Sequence, residues 1–129
     1  MNRLLLAPLL LVTSVLAGPY DQPYSIITVD RAKSADPNLR KVIVNRVDDE
    51  TIMTGNVAVV APGMRKVTID LPPRKGFKQA TQHTFDIDAK PCTRYYVAAK
   101  LDSPTTQDWT PMVRSEEAIG ECRKKFKVG

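Results

Sequence analysis

Two cysteines, one histidine and three aspartates on strand-like runs are the residues in this chain whose types and spacing most invite a chemical reading. Cys92 and Cys122 are the only thiols among 129 residues. A reactive cysteine needs an accessible thiolate with a lowered pKa, commonly within a Cys-x-x-Cys pair, and no such pair is present. Two cysteines in an exported chain are most simply one disulfide, so Cys92 and Cys122 are expected to fasten the fold rather than to react. His83 is the single histidine, with Asp86 and Asp88 close behind it. A metal centre needs several converging ligands. With the cysteines paired, one imidazole beside two carboxylates reads as a solvated strand edge, and no metal is expected. Asp70, Asp86 and Asp88 alternate with apolar neighbours, so they are outward solubility residues. A glycosidase would need two carboxylates facing across a cleft. Gly-x-Ser-x-Gly, phosphate-loop and His-Glu-x-x-His patterns are all missing. No catalytic residue and no cofactor are therefore nominated, and the expectation is a protein that is not an enzyme.

The elements that would carry these residues read as β throughout. Residues 24–29 form a first β-rich run, and the polar stretch DRAKSADPNL reads as loop. Strands are expected over 41–47, with Val42 and Val44 on one face, and over 57–60. A turn at Asp48-Asp49-Glu50 separates these two, and another follows at Ala61-Pro62-Gly63. The cleanest alternation is 65–71, where Val67, Ile69 and Leu71 point one way and Lys66, Thr68 and Asp70 the other. Strands follow over 84–88, with Phe85 and Ile87 inward, and over 93–101. Residues 102–110 read as polar loop, and 112–113 and 118–126 as the last strands. The segment 78–83 is the one candidate for a short helical turn. About seven short strands suggest an all-β antiparallel sandwich.

The N-terminus opens MNRLLLAPLLLVTSVLAGPY. Leu4 to Ala17 is a 14-residue run broken only by Pro8, Thr13 and Ser14, too short to cross a bilayer comfortably. With Arg3 before it and small residues at Val15 and Ala17, it reads as a cleavable signal peptide over residues 1–17. Residues 18–129 then form a single domain of 112 residues, and the loss of Arg3 takes the formal charge from +5 to +4. Such a mild excess selects no particular partner. Leu16-Ala17-Gly18 resembles the start of a bacterial lipoprotein signal, but position 19 is Pro rather than Cys. That implies a periplasmic or secreted protein without a lipid anchor.

The stretch "AKPCTRYYV", residues 89–97, resembles the fibronectin type III corner Leu-x-Pro-x-Thr-x-Tyr-x-Val. Pro91, Thr93, Tyr95 and Val97 match, while Ala89 replaces the leucine and Cys92 stands where glycine is common. The resemblance implies an immunoglobulin-like or fibronectin III-like sandwich in which Tyr95 ties back to the preceding corner. Residues 41–101 are similar in layout to small envelope sandwiches of PEGA-like or transthyretin-like type. Those families are mostly binding and structural modules, an analogy at the level of fold.

If 93–101 pairs antiparallel with 118–126, Cys92 lies opposite Cys122 and the hairpin centres on residue 107, inside the polar loop. That register would let the thiols bond across neighbouring strands. Trp109, between Asp108 and Pro111, is a large aromatic in a polar stretch, which either folds back onto the end of the sandwich or is an exposed contact residue. Asp108, Trp109 and Pro111 are thus the candidate partner contact. Arg123, Lys124, Lys125 and Lys127 concentrate positive charge near the C-terminus. They are read as lysines guarding a terminal strand edge, with weak contact to an anionic surface as the functional alternative. The aromatics do not interleave with the basic residues, so no nucleic-acid partner is expected. The function expected is a non-catalytic binding or accessory module whose partner is another envelope protein. A structural subunit of an envelope or surface assembly is the alternative.

Overall fold

The computed structural model describes residues 18–29, 36–73, 81–103 and 108–128. The expected signal segment, part of the 78–83 stretch and the centre of the 102–110 loop lie outside the described residues. The described residues form two β-sheets packed face to face, with one short helix near the C-terminus. Seven strands have four or more residues: β1 (Ser25–Val29), β3 (Ile43–Val47), β5 (Val57–Val60), β6 (Gly63–Leu71), β7 (Thr81–Ala89), β8 (Thr93–Leu101) and β9 (Trp109–Ala118). Two more, β2 (Leu39–Arg40) and β4 (Glu50–Thr51), are two-residue pairings.

The first sheet runs β5-β1-β8-β9, and β2 meets β8 further along. Since β9 pairs with β8 along its whole length, β2 must share the opposite edge of β8 with β1. The second sheet runs β4-β3-β6-β7. One pairing departs from the expected antiparallel sandwich: β1 lies parallel to β8, from Ile26↔Arg94 to Val29↔Val97. A parallel neighbour needs a long crossover. The chain supplies one by visiting the second sheet between β1 and β8.

Alternation builds the core. On β6, Val67, Ile69 and Leu71 face inward and are 0–2% exposed. Ile27 and Val29 of β1, Val44 and Val47 of β3, and Tyr95, Val97, Ala99 and Leu101 of β8 meet them between the sheets. Each fully buried aliphatic side chain contributes roughly 1.5–3 kcal/mol relative to exposure. The outward residues of β6 and β7 pair across the strands. Lys66 stands beside Asp86, Asp70 accepts a hydrogen bond from Gln82 Nε2 at 3.0 Å, and the Thr68 and Thr84 hydroxyls are 2.9 Å apart.

The C-terminal end differs from expectation. Residues 118–126 are not a strand: β9 ends at Ala118, and α1 (Gly120–Phe126) follows. Ile119, Cys122 and Phe126 are spaced by three and four, which puts them on one helical face. Glu121 lies in the first turn and Arg123, Lys124 and Lys125 in the last, the arrangement the helix dipole favours. Lys127 ends the helix at φ 53°, its N–H donating to the Arg123 carbonyl. The helical turn considered for 78–83 is absent from its described part, since Thr81–His83 begin β7.

Candidate functional site

The strand β5, Val-Ala-Val-Val, is the part of the fold whose exposure calls for an explanation. One edge pairs with β1, from Ser25↔Val60 to Thr28↔Val57, and among the described residues no strand pairs with the other. An unpaired edge presents free N–H and C=O groups to any extended chain. The other edges of the two sheets are guarded. The ten-residue edge strand β9 carries Arg114, Glu116 and Glu117 and is irregular where Tyr96 and Val97 pair with it. Asp86 and Asp88 line β7, and β2 and β4 are only two residues long. Only β5 combines an open edge with four uncharged apolar residues.

Two turns position β5. Before it, residues 52–56 cross close to β3: the Val44 N–H donates to Gly55 O at 2.8 Å, and Ile52 N–H donates to Asn45 O at 2.9 Å. Gly55 has φ +69°, and a Cβ there would sit 2.8 Å from Ile43 Cγ2, so the crossing requires glycine. After β5, the chain turns through Ala61 and Pro62 into β6 of the other sheet. Arg65 braces this turn. Its Nε donates to Ala61 O at 2.9 Å, one terminal nitrogen to Pro62 O at 3.0 Å, and the other to Asp48 Oδ2 at 3.0 Å. The other Asp48 oxygen accepts the Lys66 N–H at 3.0 Å. That backbone bond, followed by the Arg65 guanidinium, holds the Asp48 carboxyl below its usual pKa.

Two cavities flank this end of β5 and share Val59, Val60 and Ala61. One, of about 180 Å³, is a half-open hollow lined on its other side by Gly18, Pro19, Gln22, Pro23 and Tyr24. The other, of about 200 Å³, lies at the mouth of the sandwich between Val47, Ile52 and the Asp48–Arg65 pair, with Glu50 at its rim. Both are small for an organic cofactor but adequate for single side chains of an added strand.

The residues expected from sequence fall elsewhere. Cys92 and Cys122 are bonded, with Cα atoms 5.3 Å apart, but not across a hairpin. The β8–β9 register pairs Thr93 with Ala118 and Leu101 with Trp109, which centres the hairpin near residue 105 instead of 107. The Ile119 N–H donates to Cys92 O at 2.9 Å, and the first turn of α1 then carries Cys122 back over Cys92. Cys92 itself has φ 55°. The bond closes a small apolar cluster of Tyr24, Cys92, Ile119 and Cys122, with Ile26, Val59 and Phe126 against it. Ile26 and Val59 pair across β1 and β5 and alternate with the core-facing Ile27 and Ala58, so this cluster occupies the outer face of the first sheet. Burial, and then the charge of Glu121, push the Tyr24 phenol upward.

Pro91, Thr93 and Tyr95 do form a tied corner between β7 and β8. Tyr95 Oη accepts the Lys90 N–H at 2.7 Å and donates to Asp88 O at 3.3 Å. The Thr93 hydroxyl donates to Pro91 O at 3.2 Å, and Ser25 Oγ donates to Lys90 O. Of the three candidate contact residues, Trp109 is the buried one. Trp109 opens β9 opposite Leu101, is 5% exposed, and donates its indole N–H to Thr81 Oγ1 at 2.6 Å. Such a ring is stabilised by burial once its N–H is satisfied. His83 packs against it at 4.2 Å. Asp108 is exposed and Pro111 half-buried on the edge strand, a place that tolerates a residue without an N–H. Arg123, Lys124, Lys125 and Lys127 belong to α1 and its cap, not to a strand edge, and Lys125 Nζ donates to Tyr20 O at 2.8 Å.

No family model matches the chain, and neither a curated protein nor a solved structure is found to resemble it. The open edge was missed because its residues are neither charged nor reactive. The signal available was a strand of four apolar residues without a charge, followed directly by Ala61-Pro62-Gly63.

Proposed function

We propose that this chain is an exported, disulfide-stapled binding module, not an enzyme, that takes an extended segment of another envelope protein onto β5. The single observation supporting this reading is the contrast among the sheet edges. The others carry charges, an irregular register or too few residues to pair, whereas β5 is open, apolar and flanked by two cavities. Strand addition obtains affinity from main-chain hydrogen bonds and specificity from pockets that take alternate side chains. The partner chemistry is thus an extended run with apolar residues at every second position. The module enters the periplasm, or is secreted, through cleavage of residues 1–17, and has no lipid anchor. The disulfide is compatible with that oxidising compartment.

Site-specific photocrosslinking in the native compartment tests the reading. A photoreactive residue replaces Val57, which is 39% exposed, and a control replaces Glu117 on β9. A heterologous adduct from Val57 alone is the expected result. Self-adducts from Val57 would favour a structural subunit that assembles through the same edge. Equal capture from both positions, or capture from Glu117 alone, would overturn the assignment of β5.

A further inference from the structure

The first described residue is already fixed in place. The Gly18 N–H donates to Asp21 Oδ2 at 2.7 Å, and the Asp21 N–H returns to Gly18 O at 3.0 Å. A Cβ on Gly18 would stand 3.3 Å from that carboxylate oxygen, so glycine suits the close approach. The turn is anchored twice more. Lys125 Nζ donates to Tyr20 O, and the Tyr20 ring packs edge-on against Tyr24 at 5.0 Å. Chain termini fray unless tied down, and Gly18 and Asp21 tie this turn to itself.

We propose that Asp21 is a receptor for the α-ammonium group created when the Ala17–Gly18 bond is cleaved. The inference rests on the export reading above. Hydrolysis adds one water across that amide: Ala17 leaves as a carboxylate, and the Gly18 nitrogen becomes an ammonium. The cleaving agent is an endopeptidase that accepts small residues at 15 and 17. Cleavage converts a neutral N–H donor into a cation with three donors at the position already facing Asp21. A charge-assisted hydrogen bond is shorter and stronger than a neutral one, so processing tightens the turn. Gly18 and Pro19 also wall the cavity of about 180 Å³ beside β5. The clamp therefore fixes one wall of the proposed binding edge in the mature protein. The titratable and charged groups around this turn include Asp21 itself, Lys125 and Glu121 from α1, Tyr20 and Tyr24, and Arg94 from β8.

The test uses the full chain expressed with its own leader and recovered after export, as wild type, Asp21→Asn and Asp49→Asn. Intact mass gives the start of the chain and the state of the disulfide, and amine-selective acylation at pH 7 reports the free α-amine. A partner carboxylate keeps the amine protonated. The mature wild type should begin at Gly18 and label roughly threefold more slowly than Asp21→Asn, as for an upward shift of about half a pKa unit. Asp49→Asn should label like wild type. A chain that begins at Gly18 but labels equally in wild type and Asp21→Asn overturns the clamp and leaves export intact. A chain that begins elsewhere, or keeps residues 1–17, overturns both.

Discussion

Among the described residues, 16 buried ones interlock between the sheets. On the outer face of the first sheet four do, and two of those are the bonded cysteines. The larger cluster needs no covalent help, because strands with period-two alternation from both sheets supply its apolar area. The smaller one must hold a seven-residue helix and the turn after Gly18. A helix that short is not stable alone in water. A covalent link between Cys92 and Cys122, aided by the bond from Ile119 N–H to Cys92 O, does what packing alone would not.

The largest predicted effect falls in the larger cluster. Trp109→Ala removes an inter-sheet ring and leaves the Thr81 hydroxyl without its donor. Urea unfolding should show a loss of about 3–5 kcal/mol. Trp109→Phe keeps most of the volume and should lose far less. A small loss for the alanine variant would mean that Trp109 is not a core residue, and would restore it as a candidate surface contact.

Cutting the staple comes next. Its loop spans a sequence separation of 30, for which the chain-entropy model gives about 3–4 kcal/mol. In Cys92→Ala/Cys122→Ala, hydrogen exchange should rise most at Ile119–Phe126 and Tyr24, while β6 and β7 keep the greater part of their protection. Equal loss of protection across both regions would show that the two clusters form one cooperative unit.

The same contrast explains what could be read from sequence. The sandwich was legible because β6, β7 and β8 have one face buried, and alternation reports that directly. The pairing of the cysteines was legible because there were only two. Helix α1 was not, since its signal is just Ile119, Cys122 and Phe126 at spacings of three and four, within a run whose ends also resemble a strand. Trp109 was misplaced because its neighbours are polar, although β9 begins at that residue. The open edge of β5 is a property of which strands pair: four apolar residues before Ala61-Pro62-Gly63 mark a strand, but not which of its edges is left free.

A smaller change tests the corner joining the two regions. Tyr95→Phe leaves the ring in the core but removes the hydroxyl between Lys90 N–H and Asp88 O. A loss of about 1–2 kcal/mol is expected in urea unfolding. No change would mean that solvent satisfies those groups and that the corner is held by Pro91 and Thr93 alone.

The smallest effects separate the two regions by pH. Asp48 braces the sandwich and has a native pKa lowered from 3.8, first by the Lys66 N–H and then by Arg65. The native state therefore binds this proton less readily than the unfolded chain. The stabilisation is complete above the unfolded value and is lost as pH falls through the lower native one. The Asp48 side chain is 44% exposed, so solvent screening keeps the effect small. Tyr24 belongs to the outer cluster, and its native pKa is raised from 10.0, chiefly by burial and next by Glu121. There the sign reverses: the stabilisation is present below the unfolded value and is lost as pH rises through the native one. Stability measured against pH should lose part of its acid limb in Asp48→Asn and part of its alkaline limb in Tyr24→Phe. Each variant should leave the other limb unchanged, because Asp48 sits at the exposed Arg65 brace and Tyr24 in the outer cluster. A change in the acid limb from Tyr24→Phe would instead require the outer cluster and the Asp48–Arg65 brace to be coupled across β5, the strand that touches both.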